Sequence, residues 1–200
     1  MKRFHKVLGL IMLLPFLAWT VTGIFFFFKP GYQAAYQPIS VKLYPLKHVI
    51  PLPEHHQWLE VRQLQTVLGP HLLVRDDSGW HQLDSKTLKP RPALSDAELL
   101  LLIEQAIADD KARYGEIVSI NKQVAETSTG VRISVNWPQM TMRQQGKDTD
   151  LINNIYDIHY LRWTGYKQLD QYLGVLGLLL VALLAILGTW MTVKRAKITN

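Results

Sequence analysis

The chain has 200 residues, no cysteine, and a formal charge of +6 from 22 Lys and Arg against 16 Asp and Glu. Without cysteine there are no disulfides, thiolate nucleophiles, Cys-ligated clusters or zinc sites, and no covalent c-type haem attachment. The excess charge sits at Lys2, Arg3, Lys6, Lys194, Arg195 and Lys197, while the other 16 basic residues are balanced by 16 acidic ones, which argues against nucleic-acid binding.

Val7 to Phe28 is an uncharged apolar run of 22 residues. As a helix it spans roughly 33 Å, enough to cross a bilayer core. It exceeds the ~7–15 residue core of a cleaved signal peptide and ends in Phe25-Phe26-Phe27-Phe28-Lys29-Pro30 without small residues at a cleavage position, so a retained anchor is expected. Gly9, Leu13, Phe16, Thr20 and Gly23 form a loose small-residue stripe, and His5 lies one turn before it.

Prolines 30, 38, 45, 51 and 53 predict an extended connector with one edge strand over residues 29–57. His48, His55 and His56 in its later part read as solvent-exposed loop histidines, because no carboxylate spacing turns them into a metal site. Leu59, Val61, Leu64, Val67 and Leu68 predict a short amphipathic helix over 58–68 closed by Gly69-Pro70. Residues 71–75 and 80–83 predict a hairpin around Asp76-Asp77-Ser78-Gly79, whose resemblance to a calcium loop is ordinary turn chemistry. A second turn follows over 84–89. His71 and His81 share the hairpin without needing to face each other.

Ser95-Asp96-Ala97-Glu98 is a capping box with Leu94 and Leu99 at the staple positions, predicting a helix to about Tyr114 with Gly115 as its stop. Residues 117–126, a Thr127-Ser128-Thr129-Gly130 turn and the alternating Val131, Ile133, Val135 and Trp137 predict a second hairpin ended by Pro138. Residues 139–150 read as a polar loop and 151–163 as a helix leading through Thr164-Gly165 to the second apolar run.

That run, Tyr172 to Val193, is again 22 residues without a charge. Gly174, Gly177, Val181, Ala185, Gly188 and Thr192 keep small or β-branched residues on one face, the pattern that lets helices approach closely in lipid. The two stripes pack on each other, or serve a homodimer or a membrane partner. With basic residues outside both runs, the positive-inside rule puts both termini in the cytoplasm and the 143 residues from Lys29 to Gln171 on the other side. The expected organisation is a tail at 1–6, spans at 7–28 and 172–193, a connector at 29–57, an α+β domain with a juxtamembrane helix at 58–171, and a tail at 194–200.

If the helix before the second run is unbroken, His159, Trp163, Tyr166 and Asp170 extend its stripe. Imidazoles at helix ends facing a bundle are how transmembrane b-type haem is held, with two axial ligands per iron. His5 and His159 supply one per face, so a second chain is needed to complete either site. The alternative is that both are interfacial anchors. No hydrolase, P-loop or dinucleotide motif is present.

Four segments resemble the PepSY-associated transmembrane family. Phe4-His5-Lys6-Val7-Leu8-Gly9-Leu10 is similar to its H-x-x-x-G-L helix start, and Thr20-Val21-Thr22-Gly23 resembles the T-G that closes that helix. Residues Trp80 to Thr87 resemble its V-D-x-x-T-G hairpin, with Leu88 where the glycine stands. Tyr156 to Gly165 resembles the histidine element before a later helix. The resemblance implies a bacterial inner-membrane protein with a periplasmic PepSY-like domain. It also implies a non-catalytic accessory role, binding or regulating a partner in iron uptake or a membrane redox complex. Some larger relatives are haem-containing ferric-siderophore reductases, and the resemblance then makes His5 and His159 haem ligands.

Overall fold

The computed structural model describes residues 2–46, 49–52 and 57–199; His48, His55 and His56 lie outside them. The chain is α+β and forms two compact units, one of residues up to Tyr32 together with those from Asp150 on, the other Gln33–Thr149.

The first unit holds helix α1 (Lys2–Phe28) and, at the far end of the chain, most of α5 (Lys147–His159) and all of α6 (Lys167–Thr199). Both α1 and α6 are long and apolar enough to cross a membrane. They meet through Leu8, Met12 and Leu184, with Trp19, Leu180 and Val181 around them. Their other sides carry exposed apolar residues such as Leu10, 73% exposed, and Ile186, 65% exposed. The condition for extending the second stripe, an unbroken helix from His159 into α6, is not met: α5 stops at His159, Leu161 turns back with a positive φ of 54°, and α6 starts at Lys167. Asp170 holds this turn, accepting from the Thr164 amide at 3.0 Å and hydroxyl at 2.8 Å. Trp163 and Tyr166 are consequently exposed rather than on the stripe.

The second unit contains a short helix end, α2 (Tyr32–Ala35), then two antiparallel sheets. The first is β1 (Glu60–Thr66), β2 (Gly69–Asp76) and β3 (Gly79–Leu83) in sequential order. The helix expected at 58–68 is therefore a strand, and Gly69-Pro70 opens β2 instead of stopping a helix. The reason lies in Val61 and Leu64. Three residues apart, they would share a helix face, but in a strand they point oppositely. Here Val61 packs on Leu72, Val74 and Leu83, whereas Leu64 packs on the main core, because both faces of the sheet are covered.

The expected hairpin around Asp77-Ser78 is present, with Asp76 opposite Gly79. The turn over 84–89 is built by Asp84 Oδ1, which accepts from the Lys86 and Thr87 amides and the Thr87 hydroxyl, and Leu88 then adopts φ 55°.

The capping box forms as expected, with Ser95 accepting from the Glu98 amide and Glu98 reaching back to the Ser95 amide. Its helix α3 (Asp96–Ile107) is shorter than expected. Asp110 restarts the chain as cap of α4 (Lys111–Tyr114), so one helix becomes two, and Gly115 closes the second at φ 62°. The second sheet is β4 (Ile117–Asn121), β5 (Val124–Thr127), β6 (Arg132–Asn136) and β7 (Thr141–Gln145). Residues 117–126 are thus two strands joined at Lys122-Gln123, and the expected loop at 139–150 contains β7. Both were obscured by polar residues. Lys122 and Gln123 turn with positive φ without the usual Asn-Gly, and β7 shows only Met142 to the core.

Leu99, Leu102, Ile103 and Ile107 of α3 are buried with Leu73, Ala125, Ile133 and Met142 in one core. The connector begins with the short helix α2 instead of extended chain, and residues 37–46 then run extended and are held at both sheet edges, Ser40 bridging Thr141 and Tyr44 bridging Gln65. Gln63 of β1 adds a backbone-like clasp, exchanging two 2.7 Å hydrogen bonds with Ile50.

Candidate functional site

Three polar constellations stand out, two in the helix unit and one in the sheet unit. The first surrounds His159, the last residue of α5. Trp19 of α1 donates its indole N–H to the His159 carbonyl at 2.8 Å, and Phe26 and Tyr160 stand edge-on to the imidazole. His159 Nδ1 lies 2.8 Å from the Thr22 hydroxyl. The Ala18 carbonyl is 2.7 Å from Thr22 Oγ1 and can only accept. The Thr22 hydroxyl thus ties the imidazole to α1 through Nδ1, and among the described residues Nε2 makes no hydrogen bond.

The second is His5. Its ring lies against α6, with Cε1 3.5 Å from where a side chain on Gly188 would begin, and its Nδ1 is buried without a hydrogen-bond partner. His5 and Thr22 are 17 positions apart on one helix, about 25 Å at ~1.5 Å per residue, so His5 and His159 cannot share an ion.

Of the expected packing residues, Gly177 is the tightest: a Cβ there would meet Leu161 at 3.0 Å and Trp19 at 3.6 Å. Gly174 lies beside the Tyr160 carbonyl. Gly9 and Gly23 have open space where a side chain would be, and Thr20 and Ala185 are exposed. In this helix pair the contact belongs to Leu8, Met12 and Trp19 on α1, one position round from the expected stripe. Thr22 and Trp19 were missed as partners of His159. Trp19, Thr22 and Phe26, at successive spacings of three and four residues on one helix face, were the available signal.

The third constellation centres on His71, which is fully buried. Its Nε2 lies 2.7 Å from Thr66 Oγ1, and its Nδ1 lies 3.1 Å from Gln82 Oε1 and 3.2 Å from Arg91 Nη1. His81 is on the opposite face and pairs with Asp76 at 3.2 Å. Hydrogen bonds from the Ser78 hydroxyl and amide, aided by His81, hold Asp76 at about 2. Asp76-Asp77-Ser78-Gly79 is thus the ordinary turn expected. Elsewhere in the unit Arg113 joins Asp148 at 2.9 Å and Gln144 at 2.7 Å. An open groove of about 740 Å³ lies between the connector, β1 and the start of β7, with Lys42 and Arg62 beside Leu43, Leu64 and Met140.

Among the described residues no three His, Asp or Glu side chains are grouped to hold a metal ion. No protein-family model, curated protein or solved structure matches the chain.

Proposed function

We propose that the chain is a two-span protein of a bacterial inner membrane with both termini in the cytoplasm. The Gln33–Thr149 unit is its periplasmic, PepSY-like domain, which binds or regulates a partner in an iron-uptake or membrane redox complex. The observation that carries this reading is the contrast between α1 and α6, whose outer sides are apolar and exposed, and the sheet unit inserted between them, whose apolar residues are inside. Such outer sides are stable in lipid and not in water. The domain acts by binding, with the exposed apolar helices as its anchor.

The test is functional replacement. Cells lacking the chain should take up iron poorly under limitation and be restored by the full chain. A version with a Gly-Ser link in place of residues 33–149 should not restore them. Full rescue by the helix pair alone would overturn the assigned role of the domain.

A second reading is a b-type haem electron-transfer subunit formed with a second chain. The specific observation favouring it is the Thr22–His159 hydrogen bond, which holds the imidazole by Nδ1 and leaves Nε2 without a hydrogen-bond partner among the described residues. The donor chemistry fits one axial position, with the other ligand coming from a second copy or a partner. Haem would supply one-electron transfer; Thr22, Trp19 and Phe26 orient the imidazole. Detergent-purified protein should then show a Soret band with reducible α/β bands, lost in His159→Ala. A preparation that stays colourless with added haemin would sink this reading.

A further inference from the structure

The His71 constellation is not used by either reading above, and its chemistry is unusual. Gln82 donates its amide N–H to the Trp137 carbonyl at 2.8 Å, which turns its Oε1 towards His71. Oε1 can only accept, and Arg91 can only donate, yet both address the same Nδ1. A neutral imidazole satisfies one of them at a time. An imidazolium satisfies Gln82 through Nδ1–H and Thr66 through Nε2–H, and it repels Arg91.

Arg91 is well placed to respond. Its backbone amide donates to the Gln82 carbonyl at 2.8 Å, and its guanidinium lies 5.4 Å from the Trp137 ring centre and 3.4 Å from the Pro70 carbonyl. Four residues on is Ser95, the cap of α3. Leu94, between them, is buried in the core. Arg91 thus sits on the short segment that leads into the helix that fills the core.

We propose that His71 and Arg91 form an acid-sensitive latch: proton uptake by His71 expels the Arg91 guanidinium from its seat over Trp137 and loosens residues 88–95 at the entrance to α3.

The charged groups near His71 are Arg91 and Glu98. Thr66 from β1, Gln82 from β3 and Trp137 from the 3-10 turn after β6 are its neutral neighbours. Burial lowers the His71 pKa most, Gln82 opposes this, Arg91 lowers it further and Glu98 raises it. Glu98 is held below its ordinary range by its bonds with Ser95, so its charge is constant while His71 titrates. The unfolded chain thus binds a proton more readily than the fold. Stability is full above about 6.5 and is lost as pH falls from there towards the lowered folded value.

Amide exchange of the full chain in detergent, corrected for the intrinsic pH dependence, tests the latch. Protection over residues 88–95 should fall on the order of tenfold between pH 7.5 and 5.5, the effect of about one pKa unit. His71→Gln should abolish the pH dependence of 88–95. If that variant does not fold, Arg91→Gln, which removes the repelled cation, should shrink it. Unchanged wild-type protection, or an equal fall in either variant, would overturn the proposal.

Discussion

The two units solve burial in opposite ways. In the sheet unit Leu99, Leu102, Ile103 and Ile133 are inside, and the outward strand positions are mainly polar. In the helix pair most large apolar side chains point outward, and the polar Thr22 of α1 is buried and bonded to His159 of α5. The same side chain therefore has a different worth in each unit. A core leucine is held by the protein around it, an outer helix leucine by its surroundings.

The largest expected effects break this contrast. Ile103→Ala should cost the sheet unit about 2–5 kcal/mol in chemical denaturation of the purified chain, through lost burial and the cavity left behind. Leu178→Ala should leave the same transition within about 0.5 kcal/mol, because Leu178 is exposed in the helix unit. Leu178→Lys should instead lower membrane insertion by about 2.5–3.5 kcal/mol in an insertion assay, while Val118→Lys on the exposed sheet position should be nearly neutral for folding.

A smaller effect is expected at Arg113, whose side chain is 11% exposed and pairs with Asp148. Burial disfavours ionised Asp148, but the Arg113 hydrogen bond and charge and the Thr149 amide outweigh it and keep the carboxyl below its ordinary range. Its stabilisation is therefore present above the unfolded value near 3.8 and lost as pH falls through the lower folded one. Arg113→Ala should lower stability at pH 7 by about 2 kcal/mol and flatten the loss below pH 4 in thermal melts. Ser95→Ala should cost about 1 kcal/mol through loss of the α3 cap. The smallest effect is a gain. Gln123→Gly relieves a positive φ of 63° and should raise stability by about 1 kcal/mol, seen as a higher Tm.

What the sequence made legible follows the same division. The two apolar helices and the Ser95 capping box depend on local patterns and could be read directly. The turn around Asp76 was equally local. Strand β1 was misread because Val61 and Leu64 serve different cores, a fact of tertiary cover that no local period carries. Strand β7 was missed because Thr141, Arg143 and Gln145 are exposed, leaving only one apolar signal. The break after His159 depends on Asp170 reaching back to Thr164 across six positions. Of the sites, His5 and His159 were visible as histidines near helix ends. The Thr22 contact was not visible, because it joins residues 137 positions apart. The His71 cluster was hidden for the same reason, since its partners come from β1, β3 and the segment entering α3.

The absence of cysteine from the sequence makes the central claim directly measurable. A single Lys122→Cys reports on the sheet unit, and a cysteine appended after Asn200 reports on the C-terminus. With a membrane-impermeant maleimide on cells whose outer barrier has been opened, Lys122→Cys should label at once. The appended cysteine should label only after the inner membrane is permeabilised. Protection of Lys122→Cys, or immediate labelling of the C-terminal probe, would contradict the two-span arrangement.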